Sequence, residues 1–155
     1  MTEQLESAVR GDRAAIGRVI EQCQPPVARF CRALVGSAAG GWAAADRLAD
    51  DLLPRVVSTV VCDWDSARSL YGWLTAAFEL QAATDNRLAA PAPTTPMAMV
   101  SRALGRRAGM VLWLRVIEGL STIECARALG MRTGEVQLLQ HRVLEYLGHG
   151  TAAAS

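Results

Sequence analysis

The sequence predicts an all-α protein of two small helical domains, the C-terminal one a helix-turn-helix. Three observations predict it. Apolar residues recur at three- and four-residue spacing through every long segment, whereas β-branched runs are short and do not alternate. Pro91, Pro93 and Pro96 fall within eight residues and divide the chain. From Ser121 onward, cap and stop residues mark out two helices that meet at Gly130.

Along the chain, Leu5 to Arg10 and Ala14 to Gln22 read as helix, separated by Gly11-Asp12-Arg13 with Asp12 placed to cap. Pro25-Pro26 opens another helix with Val27, Phe30, Cys31 and Leu34 inward. Gly36 to Gly41 is a loop. Trp42 to Val61 is a third helical stretch, with Leu48, Leu52, Val56 and Val60 four apart and Pro54 set to kink it or start a new helix. Asp63 to Ser66 is a turn, and Leu70 to Leu88 a fourth helix. The first domain is thus residues 1–88 and the tether residues 89–96. Fully extended, the tether reaches roughly 25 to 30 Å, and its prolines predict an extended linker.

The second domain, residues 97–147, begins with a helix at Met97 to Ala103 and a strongly apolar one at Ala108 to Glu118. Ser121 and Glu124 have capping-box spacing, so a helix starts at Thr122. Ile123, Ala126 and Leu129 line one of its faces, and Gly130 stops it. Thr133 caps the next helix, whose inner face is Val136, Leu139, Val143 and Leu147 with Tyr146 at the edge. In such a motif the start of the second helix meets the bases. The candidate DNA-binding residues are therefore Arg132, Thr133, Glu135, Gln137, Leu138, His141 and Arg142. Residues 148–155 read as a disordered tail.

Composition narrows the function. Net charge is only +1, but it is unevenly spread. From Met97 on, seven arginines oppose four acids; before it, nine oppose eleven. A basic second half suits DNA and an acidic first half suits a protein partner. No apolar run reaches the roughly 18 residues of a membrane span, and the polar start at Met1 to Arg10 is unlike a signal peptide, so the expected location is cytoplasmic. Cys23, Cys31, Cys62 and Cys125 are scattered, without metal-ligand spacing, and read as reduced thiols. No metal, cofactor or catalytic group is expected: His141 lies on the second helix of the motif and His149 in the tail, leaving no base with an orienting partner. Asp63 and Asp65 flank Trp64 as a solvated turn.

Leu114 to Ser121, Ala128 to Gly130, Thr133 to Val136 and Gln140 to Arg142 together resemble the promoter-reading C-terminal domain of bacterial RNA polymerase sigma factors. The nearest type is the small two-domain extracytoplasmic-function sigma factor, and the Gln-His-Arg ending is similar to the actinobacterial sigma-D-like group. All sixteen basic residues are arginine, which agrees with a GC-rich genome. The resemblance implies a chain that binds core RNA polymerase, directs it to promoter DNA and answers to an anti-sigma factor. It places polymerase binding at Asp46, Arg47, Asp50 and Asp51, and proximal-promoter contact at Trp73 and Arg87, with Trp73 equally suited to the core.

The pattern departs from the family at several of these points. Arg47 reverses a usual acid, and Asp50 replaces a glutamine, so the side chain accepts but cannot donate. Glu79 and Leu80 stand where basic or polar residues and asparagine are usual, and a carboxylate repels phosphates. Gln137 and Leu138 replace basic or small residues on the recognition helix; Glu135 is acidic there, although glutamate can accept from cytosine. Weak DNA binding by the isolated chain is expected. A divergent sigma-like regulator, which binds polymerase or another protein without opening promoters, stays open as the alternative. A stand-alone helix-turn-helix repressor would have to dimerise, and no helix is left over for that.

Overall fold

The computed structural model describes residues 8, 10–62 and 68–153. The helix expected at Leu5 to Arg10 and the turn at Asp63 to Ser66 fall largely or wholly outside them. Asp12 accepts from the backbone N–H groups of Ala14 (2.9 Å) and Ala15 (3.3 Å), and this cap starts α1, Arg13–Val35. The two helices expected on either side of Pro25-Pro26 are one. The prolines give up two backbone donors. The buried stripe of Val19, Cys23, Val27, Phe30 and Leu34 nevertheless runs unbroken past them and holds the helix together.

α2 (Ala43–Cys62) packs along α1 and likewise carries Pro54 within its length. Its inward side is the expected row of Leu48, Leu52, Val56 and Val60, each no more than 1% exposed. Ser69 caps α3, Leu70–Ala82. That helix stops short of the expected Leu88. Asp85 instead caps a separate turn, α4 (Asn86–Ala89), through the N–H of Arg87 at 3.0 Å, which lets Leu88 turn inward.

The proline-rich tether is docked rather than free. Thr95 Oγ1 donates to the carbonyl of Leu34 (3.1 Å) and Thr94 Oγ1 to that of Val35 (3.3 Å). The last turn of α1 leaves carbonyls without helical partners, and these hydroxyls satisfy two of them. Thr95 also accepts from Ala98 N–H (3.0 Å), so it caps α5, Pro96–Leu104, with Pro96 in the first turn, where a missing N–H costs nothing.

α6 (Arg106–Leu112) runs on into a wider π turn, Trp113–Ile117. α7 (Thr122–Leu129) and α8 (Thr133–Ala153) complete the chain. The tail expected at 148–155 is helical as far as Ala153. A glycine inside a helix costs only about 1 kcal/mol, so Gly148 and Gly150 do not end α8.

The N-terminal half (α1–α4) and the C-terminal half (α5–α8) share one core. Trp113, 0% exposed, sits edge-on to Phe30, Phe78 and Tyr71, with ring centroids at 5.2, 5.5 and 6.0 Å. Phe30 and Phe78 stack at 3.9 Å. Each such aromatic pair adds about 0.5–1.5 kcal/mol beyond the area it buries. A smaller cluster of Val100, Ala108 and Val143 stays within the C-terminal half, with Leu139, Tyr146 and Leu147 against it.

Candidate nucleic-acid interface

The helix-turn-helix is assembled by caps. Ser121 Oγ accepts from Glu124 N–H at 3.1 Å and starts α7 at Thr122, as expected. Gly130 adopts the left-handed conformation (φ 63°, ψ 34°), and Met131 N–H returns to the carbonyl of Ala126 at 2.9 Å. The chain thereby turns sharply into α8.

Two expectations about these helices are corrected. Ile123 is not on the inner face of α7; it is 57% exposed, and Cys125, Ala126, Ala128 and Leu129 are buried instead. Three-residue spacing alone could not tell which side of so short a helix meets the core. Thr133 is not the cap of α8 but its first residue. Glu135 reaches back to accept the backbone N–H of Arg132 at 2.9 Å, and that bond closes the start of the helix. Glu135 is thus committed to its own helix rather than aimed at a base.

The remaining predicted residues form an accessible surface. Arg132, Thr133, Gln137, Leu138, His141 and Arg142 are all exposed, and positions 137, 138, 141 and 142 follow one side of α8. Leu138 is 52% exposed. His141 Nε2 lies 3.2 Å from Glu145 Oε1, one helical turn on. Opposite this face, Val136 and Val143 are buried. An exposed row of two arginines, a glutamine and a histidine on a rigid capped helix can donate to phosphates and to base edges.

Arg115, in the apolar run that leads into the motif, was missed by sequence reasoning. Its Nε donates to Gln140 Oε1 at 3.1 Å and its Nη1 donates to the carbonyl of Leu120. It ties α8 to the turn before α7. The available signal was a lone arginine within an otherwise apolar helix.

The other candidates lie in the N-terminal half. Asp46 pairs with Arg32 (2.9 and 3.1 Å), whose guanidinium also lies 5.2 Å from the Trp42 ring centre. The hydrogen bonds from Arg32 hold the Asp46 carboxyl below the usual carboxylate range. Asp51 accepts from Arg87 Nη1 at 3.1 Å, while Arg47 and Asp50 are exposed. So the acidic face of α2 is at the surface, with two of its carboxylates already engaged within the chain.

Trp73 and Arg87 are not brought together. Trp73 is 2% exposed and sits in the core, with Arg68 over its ring at 4.9 Å. Arg87 is exposed but held by Asp85 and Asp51, which raise its pKa above the ordinary arginine value.

A further group joins the halves and was not singled out from the sequence. Glu118, after the π turn, accepts from Arg29 Nε (2.8 Å), Arg29 Nη2 (2.7 Å) and Tyr71 OH (2.8 Å). Its side chain is 2% exposed. Burial and then the bond to Glu118 hold the Tyr71 phenol above its ordinary range, and the bond to Glu118 raises the pKa of Arg29. Nearby, the Thr75 hydroxyl shares its one proton among the carbonyls of Tyr71 (2.9 Å) and Gly72 (3.1 Å) in its own helix and Ala128 (3.0 Å) across the same seam.

No family model matches the chain. The chain is 31% identical to the ECF RNA polymerase sigma factor SigD of Mycobacterium tuberculosis, over 95% of its own length and 82% of the relative's. The SigD of Mycobacterium bovis gives the same values. Among solved structures, CnrH in complex with the cytosolic domain of CnrY superposes with a TM-score of 0.67 at 20% identity, covering 99% of this chain and 98% of that one. That likeness is one of fold.

Proposed function

The chain belongs to the extracytoplasmic-function sigma factors of RNA polymerase, and from that we infer the work of its separate surfaces. It acts as an alternative sigma factor that directs core polymerase to promoters. The observation that carries the reading of the sites is the exposed side of α8, set by the caps at Ser121, Gly130 and Glu135. In this reading Arg132 and Arg142 hold phosphates, while Gln137 and His141 reach base edges of the distal promoter element. Glu135 keeps the helix start in shape. The acidic surface of α2, with Asp46, Asp50 and Asp51, docks on core polymerase. Residues 1–88 and 97–147 are the two working units, and an anti-sigma factor is the protein partner. The place of action is the cytoplasm, with the polymerase. Among the described residues, no helix is long and apolar enough to cross a membrane.

Co-elution of the chain with core polymerase from a sizing column at moderate salt tests the docking. The wild type is expected to co-elute, and reversal of Asp46 and Asp51 to arginine to abolish it. Unchanged binding by that variant contradicts the assignment of α2. Glu79 and the 55%-exposed Leu80 on α3 favour a second reading, in which polymerase is bound but the promoter is not opened. Permanganate footprinting of melted thymines separates the two.

A further inference from the structure

Single exposed leucines are ordinary on a protein surface. Leu138 is unusual in its company. It is 52% exposed and stands among Gln137, His141 and Arg142, the exposed polar residues on the outer side of α8. Gly134, one turn earlier, is also exposed, and a Cβ placed there would meet nothing within 4 Å. No side chain at that position holds the start of the helix away from a surface laid against it. His141 is engaged in the other direction, with Nε2 3.2 Å from Glu145 Oε1. Leu138 is therefore the bulky apolar group nearest the start of α8 on this side.

A protein partner would use Leu138 as part of an apolar patch, because interface hot spots are ringed by further contacts that exclude water. α8 offers no such ring. The neighbours one turn before and after are Gly134, Glu135, His141 and Arg142, none of them a large apolar side chain. Leu144, 60% exposed, is six residues on and lies off this side. A base pair needs only one apolar group in return. The major groove displays a single one, the C5 methyl of thymine; its other features are donors and acceptors, which a leucine leaves unpaired. Gln137 alongside carries the amide that suits N6 and N7 of adenine, the partner base of thymine. Neighbouring side chains thus ask for the same kind of base pair.

We propose that Leu138 is a specificity residue: it packs on the C5 methyl of a thymine in the distal promoter element and selects that base over the other three. This rests on the reading of α8 as the promoter-facing helix. Against cytosine the contact loses the methyl group. Against a purine the leucine displaces water from N7 and returns no hydrogen bond. Selection is thus attractive toward thymine and repulsive toward the rest. Arg132 and Arg142 hold phosphates whatever the sequence, so loss of Leu138 relaxes the preference without abolishing binding.

Removal of one methyl group from the DNA tests it. The full chain with core polymerase is first run on a library randomised through the distal element, and the selected promoter is then rebuilt with each thymine of that element replaced in turn by uracil. One replacement should lower wild-type transcript about threefold to fivefold, the factor for burying one methyl-sized group. Leu138→Ala, an exposed change to a good helix former, should give equal transcript from the thymine and uracil templates, and its own library selection should lose the preference at that one position. Leu138→Met, still apolar and long, should keep the sensitivity. A wild-type selection without a shared thymine, or one indifferent to uracil at every position, overturns the proposal, as does undiminished sensitivity in Leu138→Ala. Transcript lowered equally on both templates by Leu138→Ala, with weaker co-elution with core polymerase, overturns it in favour of a protein contact. Absence of any chain-dependent transcript with the wild type overturns the sigma-factor reading itself, and the thymine contact with it.

Discussion

Gly36→Ala probes the docking of the tether on α1. Gly36 has φ 78° and ψ −174°, a region that residues with a Cβ rarely occupy. A Cβ built there lies 2.7 Å from Cγ2 of Thr95. Thr95 cannot turn aside cheaply, because its hydroxyl both donates to Leu34 and accepts from Ala98. Backbone strain alone costs about 1–3 kcal/mol, and the forced contact adds about 1–3 kcal/mol. Gly105 supplies the control: φ is 97° and ψ 162°, and a Cβ there meets nothing within 4 Å. Gly105→Ala should therefore show the strain without the contact. Urea unfolding of the wild type and both variants, followed by circular dichroism, gives the comparison. Gly36→Ala should lose about 1–3 kcal/mol more than Gly105→Ala, or a further fall in Tm on the order of 5 °C in a chain of this length. Equal losses would refute the claim that Thr95 is fixed against the end of α1.

Three further outcomes follow from the same geometry. Glu135→Ala should destabilise the chain by about 0.5–2 kcal/mol through the lost cap of α8, while Glu135→Gln, which can still accept from Arg132 N–H, should lose little; equal stability of the two variants in thermal melts would contradict the cap. Hydrogen bonds from Arg87 hold the Asp85 carboxyl below its usual range, so its contribution to stability is present above about pH 4 and is lost as pH falls through the folded-state value; Asp85→Asn should flatten the acid limb of a stability-versus-pH curve, and an unchanged limb counts against the pair. Cys62 is exposed, whereas burial pushes the thiols of Cys23 and Cys125 up to about 11 and that of Cys31 up to about 12, so Ellman's reagent at pH 8 should titrate one thiol rapidly in the folded chain and four in denaturant.

Local signals were legible in the sequence and long-range ones were not. The capping of α7 by Ser121, the glycine stop at Gly130 and the four-residue row of α2 all depend on neighbours a few positions away, and they appear as read. Pro25-Pro26 reads locally as the start of a new helix, and Pro54 as a kink or a new start, because proline is costly in isolation. Packing along a whole helix outweighed that cost, which a local reading cannot weigh. The prolines at 91, 93 and 96 do mark a connection, but the threonines between them bind it to α1, and nothing in the spacing of Thr94 and Thr95 points 60 residues back. Of the candidate interface, the outer residues of α8 were legible from helical periodicity. Glu118 was passed over because its partners are 47 and 89 residues away in sequence. Trp73 suits core and contact alike by its place in the motif, and the contacts that decide for the core lie outside the motif.

As a member of its family, this chain gives core polymerase a promoter. Transcription by purified core enzyme on a randomised promoter library, with the chain added and the products sequenced, tests it most directly. Transcripts should begin downstream of one shared pair of elements and disappear when the chain is left out. Initiation no different with or without the folded chain would contradict it.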